Sequence, residues 1–149
     1  MANNLIDGNL DVGGSLNVGG NTTVGGTLEV NGVISPKWNV NQLLNMHSDL
    51  PAPVTFTTGG GTLIIFASGS GFRQDTEGLV GMNITVDGTL YGDAKVYTNE
   101  YWSHKAFTTN ALVVNNLQAG SHTLQLEAMS DTIIDYNDYF SVTVLELPF

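Results

Sequence analysis

The chain has 149 residues, 42% of them hydrophobic, and its 14 acidic and 4 basic side chains give a net charge of −10. This composition allows a packed core and excludes general disorder. Nucleic acid is excluded as a partner because a phosphate backbone is held by clustered cations. The same lack of cations argues against docking on an anionic membrane. With no cysteine, disulfides, thiolate metal sites and a cysteine nucleophile are also excluded.

The first residues carry no visible signal peptide, since MANN contains no cation and no apolar run follows it. No apolar segment is long enough to cross a bilayer, so no membrane insertion is expected. If the protein works outside a cell, we expect release by lysis or by a dedicated machine, or an origin in a longer chain.

Residues 8–32 form a six-residue repeat, GNLDVG, GSLNVG, GNTTVG and GTLEVN, followed by Gly32. Each hexad carries two residues, mostly Leu and Val, at positions i and i+2, which share one face of a strand. The Gly-Gly pairs at 13–14, 19–20 and 25–26 predict tight corners with positive φ. A flexible linker would lack apolar residues at such fixed places.

The repeat is too short to fold alone as a β-helix, which would use three of its four hexads for one turn. Repeat units need stacked neighbours to close a core, and identical chains are the simplest neighbours. We therefore predict a homotrimeric β-helical stem over residues 1–34, with the Leu and Val side chains of three chains buried along a common axis.

A neck or linker is expected over 35–53, where residues 39–45 (NVNQLLN) remain open between a short helix and an irregular collar. From 54 to 149 the pattern is β throughout, and it predicts an all-β head with a two-sheet β-sandwich or jelly-roll fold. Asp87-Gly88 predicts a two-residue hairpin. The expected strands are 54–57, 62–67, 78–86, 89–98, 105–115, 122–128 and 139–147.

The predicted core is the set of apolar residues that alternate along these strands. Some of them could face a three-fold axis instead, and the sequence does not separate the two roles. The set is Leu63, Ile65, Phe66, Met82, Ile84, Val86, Val96, Phe107, Leu112, Val114, Leu124, Leu126, Phe140, Val142, Val144 and Leu145.

The repeat at 8–32 and the β-rich head resemble the distal tip of a bacteriophage tail fibre, or of a phage-derived bacterial fibre. The head is also similar to the trimeric jelly rolls of the C1q/tumour-necrosis-factor class, through GTLIIFASGSGF (61–72), AGSHTLQLEA (119–128) and NDYFSVTVLEL (137–147). The resemblance implies a homotrimeric module for cell-surface recognition on an extracellular fibre or virion tail. Fold analogy alone names no ligand.

The segment 98–105, TNEYWSHK, combines aromatic and polar residues between two predicted strands. Sugar sites pair an aromatic face with amide and carboxylate groups, so this segment predicts ligand binding. Alternatively, its aromatic residues anchor the loop or pack between protomers. The candidate ligand-binding residues are Asn99, Glu100, Tyr101, Trp102 and His104, joined by Arg73 and Tyr136 from two other loops.

A second polar segment supplies the oxygen ligands that Ca²⁺ prefers, from Asp131, Asp135 and Asp138. The spacing matches no EF-hand loop, and Asp is also an ordinary turn residue, so no cofactor is expected and Ca²⁺ is the one cation considered. We expect His122 to make a structural hydrogen bond and Tyr139 to lie in the core.

The histidines lie on separate segments with no nucleophile elbow and no phosphate-cradling loop, so no enzyme is predicted. The leading hypothesis is a non-enzymatic, homotrimeric fibre-tip adhesin. It would recognise a cell-surface glycan or protein receptor through loops of the head. The alternative is a structural trimerisation and folding cap, with recognition elsewhere in the fibre.

Overall fold

The computed structural model describes residues 12–29, 39–47 and 49–147, and the chain divides into two units, Met1–Ser35 and Pro36–Phe149. Because the second unit starts at Pro36, it takes in the segment that the sequence assigns to a neck. Within the described residues, no helix is long and apolar enough to cross a membrane.

The described part of the first unit, residues 12–29, bends at each Gly-Gly pair and contains no strand. Its residues are all exposed in the single chain, Leu16 by 65% and Leu28 by 66%. No glycine of the three pairs has a left-handed φ, and a Cβ there would meet no atom within 4 Å. The predicted positive φ is therefore wrong, because the chain turns there through open bends. The β-helical stem stays a prediction.

The second unit is all-β over its described residues, as predicted. All its strand pairs are antiparallel. The strands are β1 Asn39–His47, β2 Ala52–Thr58, β3 Gly61–Ser68, β4 Ser70–Gly71, β5 Gly78–Val86, β6 Thr89–Thr98, β7 Lys105–Ala106, β8 Asn110–Leu117, β9 Gly120–Ala128 and β10 Tyr139–Glu146.

Eight of these strands form two four-stranded sheets, and the short strands β4 and β7 pair separately. Sheet I has the order β1-β10-β3-β8, and sheet II has the order β2-β9-β5-β6. Side chains from both sheets join one buried cluster. The fold is therefore sandwich-like, with the apolar positions of each strand turned toward the other sheet.

The strand bounds follow the sequence most closely around the β5–β6 hairpin. Both strands have the predicted bounds, and the connecting Asp87 and Gly88 have φ of 50° and 77°. Two positive φ values are what a type I′ turn requires, so the predicted hairpin is confirmed. The strand expected at 105–115 is instead split into β7 and β8.

Residues 39–47 form neither a helix nor an irregular collar but strand β1, which pairs with β10. A bulge between Gln42 and Leu44 shifts the register, so apolar residues do not alternate strictly along this strand. That interruption explains why the sequence pattern did not predict a strand for this segment.

Most of the predicted core is buried, but Phe66 is 41% exposed, and Val96 and Leu145 are only half-buried. Successive side chains of a strand point to opposite faces. Since Ile65 and Val144 point inward with 0% and 2% exposure, their neighbours must point outward. The same alternation makes the core prediction for Tyr139 wrong: it is 40% exposed beside the buried Phe140.

Candidate ligand-binding loop surface

Three loops come together beyond the ends of strands β4, β6 and β9, and we call them the loop surface: residues 72–77, 99–104 and 129–138. Main-chain hydrogen bonds join them. Phe72 and Ile133 exchange two bonds of 3.0 and 2.8 Å, and the amide of Trp102 donates to the carbonyl of Arg73 at 2.9 Å. The three loops therefore form one continuous surface.

Phe72 lies at the centre of this surface and is only 5% exposed. The ring of His104 packs on it at 4.6 Å between centroids, and the ring of Trp102 at 5.7 Å. Trp102 has a φ of 57° and remains 62% exposed. The indole is thus supported by Phe72 while most of its surface faces solvent.

Asp138 ties the loops together from below, because its side chain is fully buried. Its Oδ1 accepts hydrogen bonds from the Ser70 hydroxyl at 2.6 Å and from Nδ1 of His104 at 2.8 Å. Its Oδ2 accepts the main-chain amide of Asp135 at 2.9 Å. Every buried side-chain polar atom among the described residues has such a partner, so the network is satisfied as it stands.

The Arg73 side chain is occupied by contacts with its own loop, the start of β5 and Asp131. Its guanidinium donates to the carbonyls of Thr76 at 3.1 Å and Leu79 at 3.0 Å, and to the Thr76 hydroxyl at 2.9 Å. It also pairs with Asp131 at 3.2 Å, with only 13% of its side chain exposed. These contacts indicate that Arg73 fixes the loop rather than offering a free cation.

All seven predicted ligand-binding residues lie in the three loops. Tyr101 is 55% exposed and Tyr136 84% exposed. Asn99 and Glu100 are exposed beside them. Glu100 pairs with Lys105, and this cation lowers the pKa of the carboxyl below its usual value. The surface therefore offers aromatic faces next to amide and carboxylate groups.

One shallow depression of about 150 Å³ lies on the loop surface, and its lining includes Arg73, Asp75 and Asp131. A second, of about 290 Å³, lies between Lys95 and Asn110, away from any predicted site residue. Enclosed ligand pockets typically measure about 300–1,000 Å³. Both depressions are below that range, which favours contact on an open platform over an enclosed pocket.

The candidate metal ligands separate in the structure. Asp131 pairs with Arg73. Asp135 and Asp138 instead lie beside His104, and each of these three residues places one ligand atom within 4.8 Å of the other two. They could hold a cation. Calcium takes six to eight oxygen ligands, and this cluster offers a nitrogen and two carboxylates, one of them already occupied by three donors.

Sequence reasoning missed Phe72 and Ser70, which support the site from beneath. Neither carries a local signal, because their partners are 30 to 68 residues away along the chain. The prediction for His122 is confirmed: its Nδ1 meets Asp87 at 2.6 Å and its Nε2 meets the carbonyl of Gln118 at 2.9 Å. The Asp87 carboxylate raises the pKa of His122, and this bond lowers the pKa of Asp87.

No protein-family model and no curated protein sequence matches the chain. Among solved structures, it is similar to the tripod BppUct-A-L from the baseplate of bacteriophage Tuc2009, with a TM-score of 0.50 and 12% identity over 93% of this chain and 84% of that one. At this identity the likeness shows the fold alone.

Two carbohydrate-binding modules match more loosely. One is the CBM36-1 domain of a multidomain xylanase from the hindgut metagenome of Trinervitermes trinervoides, with a TM-score of 0.39 and 10% identity over 74% of this chain and 98% of that one. The other is a CBM36 module in complex with calcium and xylotriose, with a TM-score of 0.32 and 14% identity over 72% and 87%. The expected likeness to the C1q/tumour-necrosis-factor class stays a prediction.

Proposed function

We propose that this chain is a non-enzymatic, homotrimeric adhesin at the tip of an extracellular fibre or virion tail. In this proposal the loop surface binds a cell-surface receptor, with a glycan as the leading candidate. The observation that carries the proposal is the Trp102 indole, which is 62% exposed although its main chain and one side of its ring are held by the neighbouring loop.

A fixed and exposed indole suits sugar recognition, because an aromatic face covers the apolar C–H side of a pyranose at little entropic cost. Tyr101 and Tyr136 extend the aromatic area, and Asn99 and Glu100 supply groups that can bond hydroxyls. Arg73 in the loop surface and Lys105, which directly follows it in β7, are both paired with carboxylates. An acidic surface with its cations paired favours a neutral glycan over a phosphorylated or sialylated one.

The arrangement of Ser70 and His104 supports a binding role over catalysis. Both donate to the same oxygen of Asp138. In a hydrolytic triad the histidine instead lies against the nucleophilic hydroxyl, where it can take its proton. The described residues of the loop surface therefore offer a platform without an activated nucleophile.

Two features of the first unit support the homotrimer. The apolar residues described there are exposed in the single chain, Val18 by 47% and Val24 by 46%, and such residues call for a partner surface. In addition, the paired glycines have open space around them and no positive φ. If a neighbouring chain approaches closely at these positions, it would leave no room for a Cβ. This contact would explain why glycine is present, which the single chain does not.

The shared fold with a phage baseplate tripod supports a place on a virion. The strand order supports the jelly-roll form of the sandwich, because each sheet combines strands from the first and second halves of the head. Fold analogy remains a weaker argument than the chemistry of the surface.

The experiment is a glycan array probed with the full chain, followed by titration of the best ligand. Trp102→Ala is expected to weaken binding by about tenfold or more. The matched control is Tyr91→Ala, since Tyr91 is 37% exposed near the opposite end of β6, and it should bind as wild type. If Trp102→Ala and Tyr136→Ala both bind as wild type, the loop surface is not the site and the head is better described as a structural cap.

A further inference from the structure

The outer face of sheet I differs from the rest of the described head in its chemistry. Alternation from the buried positions identifies its side chains. They contain no Asp, Glu, Lys or Arg. They are Val40, Gln42, Asn45 and His47 on β1, Thr62, Ile64, Phe66 and Ser68 on β3, Ala111, Val113 and Asn115 on β8, and Tyr139, Ser141, Thr143 and Leu145 on β10.

A row of apolar side chains crosses this face from edge to edge. Val40 pairs with Leu145, Leu145 with Ile64, and Ile64 with Val113, so every strand of sheet I contributes one residue. Val40 is 61% and Val113 54% exposed, and Phe66 in the adjoining row is 41% exposed. Contiguous exposed apolar side chains of this kind mark an interaction surface, whereas scattered ones do not.

The outer face of sheet II provides an internal comparison. The same alternation places Asp93 and Lys95 on β6 and Glu127 on β9 on that face, and Asp93 and Lys95 form an ion pair at 2.8 Å. One face of the sandwich therefore carries the charged residues usual for a solvated sheet, and the other carries none. A need for solubility would favour charged residues on both faces of the sandwich. It therefore does not explain why only one face carries them.

The missing charges indicate what covers the face. A partner recognised by charge would find no complement there. Two copies of a chain with a net charge of −10 repel each other wherever acidic residues meet. Its uncharged face is the one through which identical chains can approach. The exposed apolar residues of the repeat already call for neighbouring copies, and β1, the first strand among the described residues that follow the repeat, belongs to this sheet.

We infer that the outer face of sheet I packs against further copies of this chain, with three copies turning it toward a common axis. The row of Val40, Ile64, Val113 and Leu145 forms the apolar centre of that contact. The number three rests on the proposed function, whereas the identity of the face does not. The loop surface, on residues outside this face, stays free for a ligand.

The first test compares Val113→Glu with Thr55→Glu in the full chain. Both positions are exposed and lie on edge strands, β8 of sheet I and β2 of sheet II. By light scattering, the wild type is expected at about three times the 15.8 kDa of one chain. On dilution, Val113→Glu should dissociate at a concentration about tenfold higher or more, and Thr55→Glu should behave as wild type. A monomeric wild type, or identical behaviour of both variants, would overturn the inference.

A second measurement keeps the inference testable if Val113→Glu folds poorly. Since the chain has no cysteine, Val113→Cys and Thr55→Cys each introduce a single thiol. The thiol at 113 should react with a bulky maleimide about tenfold more slowly than the thiol at 55, and equal rates would contradict the buried face. If the sheet I results hold while Trp102→Ala and Tyr136→Ala both leave binding intact, only the ligand proposal fails. If Trp102→Ala weakens binding while the sheet I variants behave like their sheet II controls, only the inference about sheet I fails.

Discussion

Removing the carboxylate of Asp138 should cost more stability than any other single change in the loop surface. The side chain is fully buried and accepts bonds from Ser70 at 2.6 Å, His104 at 2.8 Å and the amide of Asp135 at 2.9 Å. Asp138→Ala leaves all three donors without this acceptor. A hydrogen bond to a charged group contributes about 1.5–3 kcal/mol.

These contributions are not additive, so we expect a loss of about 3–5 kcal/mol, less than the sum of three hydrogen bonds to a charged acceptor. For a domain of this size each kcal/mol lowers the Tm by about 3–6 °C. The Tm of Asp138→Ala should therefore fall by about 10–25 °C. Urea denaturation measures the free energy, and the melting curve measures the Tm.

Asp135→Ala is the matched control in the same loop. Its side chain is 35% exposed, accepts the amide of Asn137 at 2.8 Å, and lies 3.5 Å from Nε2 of His104. Exposed contacts of this kind contribute about 1 kcal/mol or less. If Asp138→Ala costs no more than Asp135→Ala, the buried network does not hold the loops together and the reasoning is refuted.

Three further predictions concern pH, packing and calcium. Because the folded pKa of His122 is raised above 6.5 and that of Asp87 lowered below 3.8, their bond should stabilise the fold most between those values. As the pH rises above 6.5, the urea midpoint of the wild type should fall, and that of Asp87→Asn should not show this fall. If the two midpoints change with pH in the same way, the prediction is wrong. Gly81→Ala should cost about 1–3 kcal/mol, since its Cβ would meet a backbone oxygen at 2.4 Å. Gly92→Ala should cost less, since there the Cβ meets a flexible leucine side chain; equal urea midpoints would refute this ranking. Millimolar calcium should leave the Tm unchanged, because a carboxylate of the metal-like cluster already has three donors; a rise that grows with calcium concentration would show binding.

Local chemistry predicted those parts of the fold that depend on neighbouring residues. Asp87-Gly88 specifies its own turn, and β5 and β6 have the expected bounds although their register shifts between Ile84 and Thr85. Where a bulge interrupts the alternation, as between Gln42 and Leu44, the same reasoning failed to find a strand. A bulge obscures the period of two, and β5 and β6 were still found because a recognisable turn marks where they meet.

The candidate site likewise has a part that the sequence predicts and a part that it does not. Aromatic residues beside amides in one short segment, such as Trp102 and Asn99, are visible in the sequence. The support beneath them is not: Asp138 meets Ser70 from 68 positions away and His104 from 34. Composition shows that several aspartates are close in sequence, but only the fold decides which one is buried and paired.

The central claim, that Trp102 contacts the ligand, can be tested with the indole itself. The chain has two tryptophans, Trp38 and Trp102, so Trp38→Phe leaves Trp102 as the sole reporter. Titrating the best glycan of the array should give a saturable change in Trp102 emission with the same Kd as calorimetry. A glycan that binds by calorimetry while the Trp102 emission stays constant would contradict the account.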